Sequence, residues 1–165
     1  MATLKEIQDR FSYQFAGRNI GFSIANGWLP EFETLCTQID QLLGDDKMGF
    51  HWVQLKEKFG SARYYWEMDE YQPGIRIDFM STKGVISMSS PPEISMDSIK
   101  VLAEKIDKMI NMATAKTQDH CICCGAPGKL DRHGGYHLIL CEDHSDIRKK
   151  NGDLDIWPLE SDDEQ

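Results

Sequence analysis

The chain has 165 residues, 41% hydrophobic and 27% charged, with a formal net charge of −9. That length suits one domain, or one domain with a small appendage, and is long enough to bury a core without disulfides. No run reaches the roughly 18–20 apolar residues of a membrane span, the opening "MATLKEIQDRFSYQF" lacks the apolar stretch of a secretory signal, and the acidic balance is not the basic footprint of a nucleic-acid binder. The expectation is a cytoplasmic protein with no membrane association.

The first helix is predicted over Leu4 to Phe15. Thr3 and Glu6 form a T-x-x-E capping box, and Leu4, Ile7, Phe11 and Phe15 step down one face. "AGRNIGFSIANG" reads as a loop. A second helix follows in "GWLPEFETLCTQIDQLLG", with Pro30 in its first turn and Gly44 as its stop. Phe32, Leu35, Cys36, Ile39, Leu42 and Leu43 make its apolar stripe, so Cys36 reads as a small core residue.

Aromatic and β-branched residues in "FHWVQLKEKFGSARYYWEM" predict strands at about 50–56 and 61–67, joined by a turn from Lys56 to Gly60. Ala62, Tyr64 and Trp66 would share one face of the second strand, and Arg63, Tyr65 and Glu67 the other. "GIRIDFMSTKGVISMSS" reads as another hairpin, with Ile75, Ile77 and Phe79 alternating with polar residues and "STKG" turning the chain. Ser95 is placed to cap a helix over about 96–117, with Ile94 and Ile99 as a hydrophobic staple. Ile99, Leu102, Ile106, Met109, Ile110 and Ala113 would line its buried side. The fold class is therefore α+β, with helices packed on a small antiparallel sheet of about four strands.

Four of the five cysteines crowd into "CICCGAPGKLDRHGGYHLILCEDH". Clustered cysteines in a reducing compartment point to metal rather than to a disulfide framework. Cys121-x-x-Cys124 and Cys141-x-x-His144 have the paired spacing with which zinc is held, and Gly125 lets the backbone bend beneath the ion. We expect a structural zinc ion (Zn2+) on these four residues, with no open position for a catalytic water. Cys123 reads as a packed spare thiol, and His133 and His137 as surface residues of a hairpin around "HGG"; His120 lies beside the cluster. The order of a CxxCG turn, a hairpin and CxxH at a helix start resembles a treble-clef zinc finger, an architecture shared by many functions. The chain divides into a body over 1–118, a zinc-binding module over 119–150 and an acidic tail over 151–165, expected to be disordered. The module has few large apolar groups of its own, so without metal it should lose its order.

Three stretches, "GWLP", "VQLKEKFGSARYY" and "CICCGAPGKL…LCEDH", together resemble a family of small proteins from tailed phages, prophages and bacterial genomes that has no established activity. Its pattern runs GW-L-P, an amphipathic helix, V-K-E-K-F-G-x-L-R-F-Y, a helix, then C-x-x-C-G-x-P-G and C-x-x-H. The chain departs from it with Ala62 in place of Leu, Tyr64 in place of Phe, and an additional hairpin-like stretch around 71–90. The resemblance implies zinc at Cys121, Cys124, Cys141 and His144 and a phage or prophage setting, hence a host cytoplasm.

The "KEKFG" turn has two readings. Trp28, Lys56, Glu57, Lys58, Phe59 and Arg63 could form a partner-binding edge, or the segment could be a plain hairpin end with Phe59 and Trp28 in the core. No catalytic constellation is legible. The expected function is a non-enzymatic, zinc-stabilised binding protein acting on a host protein, in defence or transcription. One alternative is an acidic mimic of nucleic acid that uses the tail. Another is a nuclease or hydrolase using His133, His137 or Glu57. Direct nucleic-acid binding through Lys129, Arg132, Arg148, Lys149 and Lys150 is weak, because five acids between 119 and 150 balance these five bases.

Overall fold

The computed structural model describes residues 2–72, 76–81, 84–89, 93–94, 97–152 and 159–161. Helix α1 (Leu4–Arg10) starts on the expected capping box: Glu6 N–H donates to Thr3 Oγ1 at 3.2 Å, and Thr3 N–H donates to Glu6 Oε2 at 2.8 Å. It buries Leu4 and Ile7 but does not run on to Phe15. The backbone breaks at Phe11 and resumes as a 3-10 turn over Ser12–Phe15. The cause is tertiary. Gln14 is fully buried; its Nε2 donates to the Cys36 carbonyl at 2.9 Å and its Oε1 accepts from Trp52 Nε1 at 3.1 Å. A straight helix would carry Gln14 away from both partners.

The expected loop contains a strand, β1 (Gly21–Ala25), followed by a short turn and helix α2 (Leu29–Leu43). Strand β2 (His51–Lys58) runs parallel to β1, with Phe22 opposite Leu55, so β1-α2-β2 is a βαβ unit. The sheet is therefore mixed, not purely antiparallel as the alternating segments suggested. Helix α2 buries Leu29, Phe32, Leu35, Cys36, Ile39 and Leu43 and ends at Gly44, whose φ is +61°. Strand β3 (Ser61–Glu67) pairs antiparallel to β2. Strand β3 has the expected bounds, β2 runs two residues past its expected end, and the turn is only Phe59 and Gly60, each with positive φ (+57° and +77°). That is the backbone hand of a two-residue turn matched to strand twist, and glycine supplies half of it without strain.

Ala62, Tyr64 and Trp66 share the core face of β3 and are 1%, 7% and 4% exposed. Rings from α2, β3 and the residue leading into β2 pack together: Phe32 stacks on Tyr64 with centroids 5.5 Å apart, and Phe50 stacks on Trp66 at 5.5 Å. Short strands β4 (Tyr71–Gln72) and β7 (Glu93–Ile94) pair at the root of a hairpin formed by β5 (Arg76–Ser81) and β6 (Gly84–Ser89). The expected hairpin is thus present, but as a separate ribbon with Ile77 and Phe79 exposed. Ile75 and the centre of its turn lie outside the described residues.

Helix α3 (Asp97–Thr117) lies against α2 and β3 and buries Ile99, Ala103, Ile106, Ile110 and Ala113; Leu102 and Met109 are half-buried beside them. The proposed cap, Ser95, lies outside the described residues. The chain then forms β8 (Lys129–Asp131), β9 (Leu138–Leu140), α4 (Glu142–Asn151) and β10 (Leu159–Ser161). Strand β10 pairs antiparallel to β1, giving the order β10-β1-β2-β3. Of the stretch expected as an acidic tail, the described residues Leu159–Ser161 form this strand. Ile122, Leu138 and Leu140 join the body's core cluster, so the cysteine-rich segment shares that core instead of forming a separate one. Among the described residues, no helix is long and apolar enough to cross a membrane.

The Tyr64 hydroxyl is buried without a hydrogen-bond partner among the described residues, and burial holds its pKa far above the usual phenol range. An orphaned hydroxyl costs its own desolvation. Tyr64→Phe should therefore keep or raise stability, by up to about 1 kcal/mol in urea unfolding. A clear loss of stability in that variant would mean that the hydroxyl has a partner.

Candidate metal centre

The four spaced residues named from the sequence come together. Cys121 and Cys124 lie in a tight turn, closed by Gly125 N–H donating to the Cys121 carbonyl at 2.8 Å and by Cys121 N–H donating to Ala126 O at 2.7 Å. Gly125 takes φ +74°, a conformation costly for a side-chain-bearing residue. Cys141 is the N-cap of α4, and His144 sits one turn in. The hairpin β8–β9 connects the two pairs, with Ile122 N–H donating to the Ile139 carbonyl at 2.9 Å.

The ligand atoms of Cys121, Cys124, Cys141 and His144 all lie within 4.8 Å of one another. Cys124 Sγ is 3.8 Å from Cys141 Sγ, Cys121 Sγ is 3.7 Å from His144 Nδ1, and Cys141 Sγ is 3.0 Å from the same nitrogen. Two thiolates each ~2.3 Å from one tetrahedral ion stand about 3.8 Å apart, whereas a disulfide brings sulfurs to about 2.05 Å. None of the five cysteines is in a disulfide. The donor set and its spacing fit a metal site. Cys123 stands outside the quartet, half-buried against the core, and its thiol hydrogen-bonds Cys121, which is the main reason the Cys121 pKa falls well below the ordinary thiol range despite burial. Cys36 is buried in the body, where desolvation raises its pKa.

Two stretches picked out in the sequence prove to be sockets for this segment. Gly27 N–H donates to the Ile122 carbonyl at 2.9 Å. A Cβ on Gly27 would stand 2.2 Å from the Cys121 carbonyl oxygen and 2.6 Å from Gly125 N, so only glycine fits there. The next residue, Trp28, is 1% exposed and donates from Nε1 to the His120 carbonyl at 3.1 Å. At the other end, the Phe59-Gly60 turn faces β9. Gly60 sits against His137 and Ile139, its N–H donates to Glu57 Oε1 at 2.5 Å, and the Tyr136 hydroxyl donates to Glu57 Oε2 at 2.9 Å.

This placement separates the six residues of the suggested partner edge. Trp28 and Arg63 (3% exposed) are buried. Arg63 donates to Ser61 Oγ and the Ala62 carbonyl, Glu57 joins the seam, and Lys56, Lys58 and Phe59 are half-buried. Lys56 and Lys58 lie over the Tyr65 and Phe59 rings respectively. His133 is exposed in the outer loop and His137 is half-buried, and neither belongs to the quartet.

Sequence reasoning missed one internal brace. Arg148 has a fully buried side chain and donates from Nη1 to Asp131 Oδ1 at 3.0 Å and from Nη2 to the Tyr136 carbonyl at 2.9 Å. Ser145 Oγ donates to Asp131 Oδ2 at 2.5 Å, and His133 N–H donates to Oδ1 at 2.8 Å. Burial alone would raise the Asp131 pKa; these hydrogen bonds and the guanidinium charge outweigh it and hold the carboxyl below its ordinary range. Arg148 is therefore not available to a nucleic acid, and Lys149 is paired with Asp146 at 3.1 Å. In the sequence the pair is only an Asp beside Arg132 and, 17 residues on, an Arg at the head of a basic run.

Comparison with protein-family models, curated proteins and solved structures finds no match to the chain. The fold and site define a mixed helix-and-strand protein with a Cys3His cluster suited to a metal ion.

Removing Asp131 leaves a buried guanidinium without its carboxylate counter-charge. Asp131→Ala should cost about 3–5 kcal/mol of stability in the segment, read as a lower thermal midpoint. Because the Asp131 pKa is lowered, the brace contributes fully above the unfolded value near pH ~3.9 and is lost as pH falls through the lower folded value. Glu57 has the opposite sign. Burial raises its pKa against the Gly60 and Tyr136 hydrogen bonds, so stability is held below pH ~4.3 and lost as pH rises through the raised folded value. Glu57→Gln should match the parent in acid and exceed it at neutral pH; equal stability at both would place the carboxylate in water.

Proposed function

We propose that the chain is a zinc-stabilised binding protein that acts by docking on another protein, in a phage or prophage setting a protein of the host. The observation that carries this is the complete Cys3His donor set. Four protein ligands fill a tetrahedral shell, and thiolates with an imidazole suit zinc better than the oxygen-preferring cations. The order of a knuckle at Cys121–Cys124, a hairpin and two ligands at a helix start resembles a treble-clef finger, and the resemblance supports a structural role for the ion. The phage setting rests on the resemblance carried by "GWLP", "VQLKEKFG" and the cysteine motifs.

The binding surface in this reading is the pocket beside the knuckle, ≈ 230 Å³, lined by Trp28, Pro30, Glu31, Lys116, His120 and Cys124 among others. An ion pair of Lys116 with Glu31, at 2.9 Å, spans it, and both side chains reach solvent. Apolar walls with a few charged groups are what a partner's protruding side chain needs.

Purified protein should hold one zinc per chain, and its cobalt form should show the charge-transfer bands of tetrahedral thiolate ligation. His144→Ala should lose the metal and, with it, a share of the ~10–16 kcal/mol that such sites contribute. A folded chain that takes up neither zinc nor cobalt would end the zinc reading. For the docking surface, affinity capture from host lysate should yield a stoichiometric partner whose affinity drops at least about tenfold in Lys116→Glu, with metal content unchanged. Equal affinity in Lys116→Glu and His120→Ala would rule the pocket out.

A further inference from the structure

The β5–β6 ribbon is an unusual object in this fold. Its register places Ile77 opposite Met88 and Phe79 opposite Ile86. These four side chains alternate along their strands onto one face, and they are 51%, 62%, 51% and 57% exposed in that order. At its root, β4 pairs with β7 against α3, and Tyr71 is fixed by stacking on Trp66 with centroids 4.6 Å apart. Beyond that root, the described part of the ribbon pairs only with itself. A two-stranded ribbon in water is marginal unless its apolar face is covered.

We propose that this ribbon is a homodimerisation arm, its apolar face packing on the same face of a second copy. Two observations favour a second copy as the occupant, and a third sets the strength of the contact. First, segment 71–94 has Arg76 and Lys83 against Asp78 and Glu93, a net charge of zero in a chain that carries −9, so two copies meeting along the arm escape the repulsion that the chain's acidic excess would otherwise impose. Second, the four exposed side chains carry no charge with which to select or orient a different partner, whereas a two-fold contact requires only that the patch complement itself. Two such ribbons stack as facing sheets do, about 10 Å apart, with each Ile–Met and Phe–Ile pair opposed by its mate. Third, four half-exposed side chains supply on the order of 400 Å² per copy, below the standard interface size. The expected dimer is accordingly weak and reversible. This inference does not depend on the metal or on the docking pocket.

Sedimentation velocity on the full metal-loaded chain, from about 1 to about 200 µM, should show a monomer–dimer equilibrium with a Kd of roughly 10–100 µM. The double variant Phe79→Ser, Ile86→Ser should raise that Kd at least tenfold, while Val101→Ser, Met112→Ser, which changes exposed apolar residues on α3, should leave it alone. In the unmodified protein, methyl resonances of Ile77 and Ile86 should shift with concentration, a readout independent of how well any variant folds. A chain that stays monomeric throughout the range overturns the proposal. So does a dimer that survives the arm variant, or an arm whose methyl signals move only when a different protein is added.

Discussion

The structure turns on one backbone-to-backbone contact, the approach of Gly27 to the knuckle between Cys121 and Gly125. There is no room for even a methyl group between them, and the amide of Gly27 is used there. Trp28 then reaches past the contact to the His120 carbonyl while its ring fills the body's core. The entry of α2 into the core and the seating of the ligand-bearing turn are therefore the same event. A second contact at Gly60 and Glu57 fixes the far end of the segment against the β2–β3 turn, so β9 is held at one angle to the sheet.

Within that frame the cysteine-rich segment draws on two sources of order of its own, and a bound metal would add a third. The Asp131–Arg148 pair braces its hairpin to α4, Ile122, Leu138 and Leu140 are buried in common with the body, and an ion on the donor quartet would tie its two ends. The shared burial changes the balance expected from composition. A segment too poor in apolar residues to close a core alone need not depend on metal alone when its neighbour lends it one. The brace has a cost of its own, since a buried pair contributes mainly by making its own disruption expensive.

Much of this was legible in the sequence where local chemistry and periodicity act alone. The capping box at Thr3, the stripe of α2, the β2–β3 alternation and the paired spacing of the four ligands all read directly. What was lost has physical reasons. Helix α1 stops at Phe11 because Gln14 answers to Cys36 and Trp52, which are distant in sequence. Strand β1 hid in a polar, glycine-bearing stretch because five residues give too short a pattern to separate from loop, and its parallel pairing depends on α2 as the crossover. Gly27 and Gly60 stood inside conspicuous motifs, yet nothing local says that a glycine is there to admit another part of the chain. Arg148 looked like one of a basic run, and only the fold shows that it points inward.

The return of β10 to the edge of β1 gives the cysteine-rich segment a second significance. It lies between α3 and the last strand, so it is an excursion that leaves the body and must come back. An ion that ties residues 121 and 144 together shortens the free length of that excursion and lowers the entropy needed to close it. Loss of the ligands would then be felt not only at the knuckle but also as fraying of the sheet's outermost strand, on the opposite side of α2's crossover.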